Sequence, residues 1–208
     1  MNEFSPPHDY SIDIADRQTC LIPDEQRLRD AVRRVLTEEH IHSATIGLAL
    51  VDDTEIHRVN REFLGHDYPT DVISFLLEGD GSQGAGGRSQ ESGVRGQESG
   101  QGLMVDGRGL RVRGSEERTP CLLPGPQPST LNLQPHLEGE LIVSTETALR
   151  EAAAHGWSPQ DEVLLYVVHG LLHLCGYDDL TDEARPSMRV REREVLAGWQ
   201  LVPTGLEA

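Results

Sequence analysis

A chain of 208 residues has room for one domain, or for one domain with an appendage. Its net charge of −17, with every basic residue an Arg, argues against nucleic-acid binding by bulk attraction but leaves room for a local basic groove. Cys20, Cys121 and Cys175 make no disulfide framework, no basic-then-apolar leader opens the chain, and no apolar run reaches the ~18 residues of a membrane span. The expectation is a cytoplasmic protein with no membrane partner.

Residues 24–37 place Leu28, Ala31, Val32, Val35 and Leu36 at helical spacing, with Asp24 and Glu25 at the start, which predicts an amphipathic helix. From Thr45 to Val51, Ile46, Leu48 and Leu50 alternate with small residues, as in a strand. Asp52 and Glu55 resemble a capping box for a helix carrying Ile56, Val59 and Phe63. Val72–Leu76 reads as a second short strand.

The composition changes at Glu78. The stretch from Asp80 to Pro135 holds more than half of the 21 glycines, with much Ser, Gln and Pro and balanced charge. Such a segment buries too little apolar surface to offset its ordering entropy. The expected organisation is one domain over 1–79 and 139–208, with 80–138 a flexible insertion.

After the insertion, Leu141–Ser144 reads as a strand. Ser144 or Thr145 caps a helix ended by Gly156. Ser158, Pro159 and Asp161 then start a helix, VLLYVVHGLLHLC, that is apolar on nearly every side and too short to cross a membrane, hence central and buried. A last helix over about 181–196 carries Met188, Glu192 and Val195. The fold class expected is α+β: a small mixed sheet packed with helices around the HGLLH helix.

That helix leads into HGLLHLCGYDD, residues 169–179. His169 and His173, four apart, stack on one helix face and can grip one metal ion. Gly176 can end the helix with positive φ and let the chain bring Asp178 or Asp179 back to the ion. Two His and a carboxylate form a catalytic zinc set with a position left for water. Cys175 points away from the histidines if the helix persists, so it reads as a small buried side chain.

The spacing H-x3-H-x5-D also fits zinc proteases of the metzincin type, but those place Glu directly after the first His, where this chain has Gly170. The better match is the YbeY endoribonuclease family of rRNA maturation factors. HGLLHLCGYDD resembles that family's H-G-x-L-H-L-x-G-Y-D-H, VNREFLGHDYPTDVISF (59–75) its Asn-containing helix and T-D-V-L-S-F block, and GELIVS (139–144) its G-D-I-x-I-S strand. Met188 and Glu192 fall where the family has them. Two positions depart from the pattern: Asp179 replaces the usual third His, and Leu64 replaces an Arg suited to RNA phosphate.

The resemblance implies a metal-dependent, single-strand-specific endoribonuclease. It would act on ribosomal RNA, at the 3′ end of the small-subunit rRNA, and in ribosome quality control. One Zn2+ per chain would be held by His169, His173 and Asp179, with His169, His173 and Asp178 in the catalytic set. Asp71 and Glu140 are further candidates for proton transfer or support, and Arg58 and Arg61 for RNA contact. The implied partners are ribosomal RNA and the ribosomal subunit, not DNA. The alternative is a zinc-stabilised ribosome-assembly factor with little catalysis, and less so a metzincin-like protease.

Overall fold

The computed structural model describes residues 8–78, 89–91 and 136–203. Five strands form one sheet: β1 (Asp9–Asp16), β2 (Ser43–Val51), β3 (Val72–Glu78), β4 (Ser89–Glu91) and β5 (His136–Ser144), in the order β1-β2-β5-β3-β4. β1, β2 and β5 run parallel, and β3 is antiparallel to both β5 and β4. With the five α-helices of the described residues packed on this mixed sheet or on one another, the fold is α+β.

β1 is not among the strands expected from the sequence. Its signal is nonetheless there: Tyr10, Ile12 and Ile14 alternate with polar residues and pack on the core side. β5 is longer than expected. Residues 136–138, assigned by composition to the insertion, pair with β2 in unbroken register from His136↔Ser43. Residues 89–91 likewise add a short strand to β3. The rest of the expected 80–138 insertion lies outside the described residues.

The two faces of the sheet differ because side chains alternate along each strand. Ala44, Ile46, Leu48 and Leu50 of β2 and Leu137, Leu141 and Val143 of β5 point into the main core. α1 (Glu25–Glu38) and α4 (Pro159–Leu174) cover that face. Asp24 accepts from the Arg27 N–H to cap α1, and the five apolar residues read from its spacing are the five it buries. α4 carries a full Ser158/Asp161 capping box with Pro159 in its first turn. It touches α1, α3 (Thr145–His155), α5 (Arg185–Leu196), β3 and β5, so it runs through the middle of the protein.

α2 (Asp53–Val59) packs elsewhere, against a small cluster of Val51, Ile73 and Ile142. Asp52 caps it by accepting from Glu55 N–H at 2.8 Å, but the Glu55 carboxylate turns to Arg58 instead of completing the box. A π-helical turn, Asn60–Leu64, follows. The extra residue in that turn rotates the apolar face by one position. Phe63, expected inside, is 62% exposed, and Leu64 packs on the cluster in its place. α5 begins at Arg185 rather than near 181; Pro186, lacking an N–H, sits in the first turn, where that donor is not needed.

Asp53 ties α2 to the start of α3. Its carboxylate accepts from Ser144 Oγ at 2.5 Å and Thr147 Oγ1 at 2.9 Å, and pairs with Arg150. Burial alone would raise the Asp53 pKa, but these donors outweigh it and hold the carboxyl below its ordinary value. A depressed carboxyl stabilises the fold above its unfolded pKa, and the gain is lost as pH falls through the folded value. Asp53→Asn is therefore expected to melt lower than the parent at pH 7. The difference should narrow below pH ~4, as followed by thermal unfolding across pH.

The antiparallel register puts Glu78 opposite Glu138. A short turn suffices to join such neighbours. Replacing residues 79–135 by a four-residue Asn-Gly-containing turn is expected to leave a folded chain. Its melting temperature should lie within a few degrees of the parent, since closure entropy changes slowly with loop length. A replacement that circular dichroism shows unfolded would make the segment part of the domain.

Candidate metal centre

α4 ends in a Schellman motif. Gly176, at φ +97°, takes the left-handed conformation, its N–H bonding the His173 carbonyl at 3.0 Å. The Tyr177 N–H reaches the Leu172 carbonyl at 3.0 Å. This turn reverses the chain and returns Asp179 to the helix face that carries both histidines.

His169 and His173 are buried, and their Nε2 atoms face each other at 3.1 Å. Asp179 completes the group, Oδ1 lying 3.7 Å from His173 Nε2 and Oδ2 3.9 Å from His169 Nε2. One ligand atom from each of the three residues lies within 4.8 Å of the other two. Asp178 does not join them. Its Oδ1 accepts from the Leu180 N–H at 3.0 Å, an Asx turn that shapes the loop.

The outward ring nitrogens decide what the site can hold. His169 Nδ1 meets the Glu192 carboxylate, and His173 Nδ1 meets the Tyr177 carbonyl at 3.0 Å. Both partners are acceptors only, so each Nδ1 carries the proton. Each neutral ring then presents an Nε2 lone pair to the other across 3.1 Å, beside a carboxylate. Two facing lone pairs repel; a cation between them converts the repulsion into ligation. The donor set of two imidazoles and a carboxylate fits a transition metal such as zinc, with positions left for other ligands.

In the metal-free site a proton competes with a cation for the same Nε2 position of His169. Burial disfavours an imidazolium at His169, but the hydrogen-bonded Glu192 carboxylate outweighs it and raises the His169 pKa. Burial likewise opposes the Glu192 anion, and its bonds to His169 and Arg189 outweigh that and lower it. His173 is pushed down by burial and then by neighbouring His169. Glu192 itself is fully buried, and Arg189 Nη1 donates to its Oε2 at 2.9 Å.

Gly170 has a packing role. A Cβ there would lie 2.8 Å from Leu141 Cδ2 and 3.1 Å from Val72 Cγ2. The position at which metzincin proteases carry their catalytic Glu is here pressed against β3 and β5, so a protease assignment loses its general base and the room for one.

The endoribonuclease YbeY family model matches residues 13–200. The chain belongs to that family. Curated proteins described as endoribonuclease YbeY are similar along most of its length. The one from Rhodopirellula baltica is 33% identical over 185 residues, covering 88% of this chain and 66% of its own. That from Desulfitobacterium hafniense is 31% identical over 173 residues, covering 83% and 81%. A Bacillus licheniformis relative is 28% identical over 193 residues, covering 91% and 95%. Among the described residues no helix is long and apolar enough to cross a membrane.

The remaining candidates of this YbeY-family chain spread apart. Asp71 stands at the start of β3, its Oδ1 accepting from Thr70 Oγ1 at 2.9 Å and from the Val72 N–H at 2.8 Å. Its negative charge favours the His169 imidazolium, but it is not among the three grouped ligands. Glu140 is exposed on the sheet face away from α4, against Gly47, and has no place at the centre. Arg58, 51% exposed, pairs with Glu55 and with Glu62, the latter at 2.6 Å. Arg61 is 65% exposed and 3.9 Å from Asp67. Cys175 stays outside the ligand group, and burial pushes its thiol up to about 12.

Glu192 is more central than its sequence signal suggested. The sequence marks it only as a position shared with the family; its 0% exposure and its bond to a metal-motif His reveal what it does. The Tyr177 carbonyl has no sequence signal at all, since it is backbone.

Proposed function

We propose that this chain is a zinc-dependent, single-strand-specific endoribonuclease that matures ribosomal RNA in the cytoplasm, with ribosomal RNA and the ribosomal subunit as its partners. Membership of the YbeY family supports this reading. The facing Nε2 atoms beside Asp179 are the observation that carries it. His169, His173 and Asp179 would hold one zinc ion. When bound, the ion supplies Lewis acidity toward a phosphoryl oxygen and makes a water at the centre more acidic.

The chain's own residues set the conditions. Glu192 keeps the proton of His169 on Nδ1, and the Tyr177 carbonyl does the same for His173, so both Nε2 atoms stay available. Asp178 shapes the turn that delivers Asp179 and takes no proton in this reading. Arg61 is the better placed of the two RNA-contact candidates, because it is the more exposed and is engaged by one carboxylate rather than two.

Elemental analysis together with cleavage assays tests the proposal. One zinc per chain is expected, with chelator-sensitive cutting of single-stranded RNA and sparing of duplex. Cleavage that survives complete metal removal would overturn it. Asp179 and Leu64, both departures from the family pattern, favour a second reading: an assembly factor held together by zinc. Stoichiometric zinc without cleavage would decide for that reading.

Asp179→His gives a finer check. The substitution removes one negative charge from the ligand set, which strengthens the ion's pull on water. The pH–rate profile for RNA cleavage is expected to move to lower pH. An unmoved profile with metal still bound would mean that Asp179 is not a ligand.

A further inference from the structure

α1 ends in the wrong charges. Glu38 and Glu39 stand at its C-terminus and no basic residue lies in its last turn, although the helix dipole favours cations there. The unfavourable placement is offset from α5. Arg191 Nε donates to Glu39 Oε1 at 2.5 Å, its Nη2 to Glu38 Oε2 at 2.9 Å and its Nη1 to Glu194 Oε2 at 2.9 Å. The Arg191 and Glu39 side chains are only 17% and 15% exposed, so the pair is shielded from full solvent screening.

Glu39 uses its second oxygen on the metal loop. The Tyr177 hydroxyl donates to Glu39 Oε2 at 3.2 Å. Tyr177 thus has three separate bonds. Its N–H closes the turn after α4, its carbonyl holds His173 Nδ1, and its hydroxyl is anchored on α1. Two residues later comes Asp179. Arg191 is also the neighbour of Glu192, which holds His169. Consecutive residues of α5 therefore govern the two histidines, one directly and one through Glu39 and Tyr177.

We propose that Glu39, Arg191 and Tyr177 form a clamp that fixes the 175–179 loop, making Tyr177 and Glu39 positioning residues for metal binding. The inference rests on the reading of the centre as a zinc site. The chemistry is geometric: anchoring the ring of Tyr177 fixes its carbonyl, and the carbonyl fixes both the tautomer and the orientation of His173. Partners one step outside the ligands commonly tune metal affinity about 10–100-fold. A group acting one step further out is expected to give about 5-fold.

The test is zinc affinity of the full chain, measured by competition with a chromophoric chelator, beside the melting temperature of the metal-free protein. Tyr177→Phe removes one oxygen atom and keeps the packed ring. It is expected to raise the zinc Kd about 5-fold while the metal-free melting temperature stays within a degree or two. Glu39→Ala should raise the Kd similarly, and the double variant no further than the worse single, because both break one chain of contacts. If Glu39→Ala fails to fold, Tyr177→Phe alone decides. Zinc bound by Tyr177→Phe as tightly as by the parent, or full additivity in the double variant, overturns the clamp while leaving the zinc centre standing. A parent that binds no zinc overturns both.

Discussion

His169→Ala is expected to lose stoichiometric zinc and to reduce RNA cleavage to background while the chain still folds. His173 and Asp179 alone are two ligands, short of the three a catalytic zinc site uses. If the binding free energy of a protein zinc site is about 10–16 kcal/mol, one ligand in three carries about 4 kcal/mol, close to a thousandfold in affinity. The variant also leaves the buried Glu192 with Arg189 alone as its charged partner, so some stability goes with the metal. His136→Ala is the matched control. It removes a histidine on the outer sheet face that bonds Ser43 and Thr45, and its zinc content should equal the parent's. Full zinc occupancy in His169→Ala would remove this residue from the centre and the proposed function with it.

What the sequence made legible follows from how local each signal is. Caps and apolar spacing are written within a few residues, so Asp24, Ser158 and the buried stripe of α1 could be read directly. The HGLLH helix announced its burial by being apolar all round. The HGLLHLCGYDD run held the two ring nitrogens, the left-handed glycine and the carboxylate in one window, and the structure brings His169, His173 and Asp179 within reach of one ion. Other features were not local. Phe63 turns outward because a π-turn inserts one residue, and nothing in NREFL marks that. β1 is an edge strand of modest alternation. β5 extends into residues that composition alone assigned to the insertion, since pairing with β2 comes from 93 positions away, as in Ser43 with His136. The support of the histidines is the least legible part. It comes from Glu192 on a different helix and from a backbone carbonyl, and backbone groups leave no mark in a sequence.

Glu192→Gln should weaken zinc binding about 10–100-fold at pH 8, the usual effect of losing a charged partner behind a ligating histidine. Gln has nearly the same volume, so packing is kept. An amide oxygen can still accept from His169 Nδ1, but the amide NH2 then faces Arg189, and the buried anion is gone. The pH dependence separates this account from simple damage. In the metal-free parent the Glu192 carboxylate raises the His169 pKa above its ordinary value, so protons compete with zinc for that ring at higher pH than for a free imidazole. In the Gln variant burial is opposed only by the weaker effects of the Asp71 and Asp179 charges, the His169 pKa falls, and proton competition moves to lower pH. The zinc affinities of parent and variant should therefore converge as pH falls from 8 towards 5.5. Stability of the metal-free protein gives the opposite pattern. Glu192 is depressed, so its stabilisation holds above the unfolded carboxyl value of 4.5 and is lost as pH falls through its folded pKa. His169 is raised, so its stabilisation is complete below 6.5 and is lost as pH rises through its folded pKa. The pair therefore stabilises most between about 4.5 and 6.5, where Glu192→Gln should cost the metal-free protein most in melting temperature. Parallel zinc-affinity curves for parent and variant across pH would mean that the Glu192 charge does not act through His169.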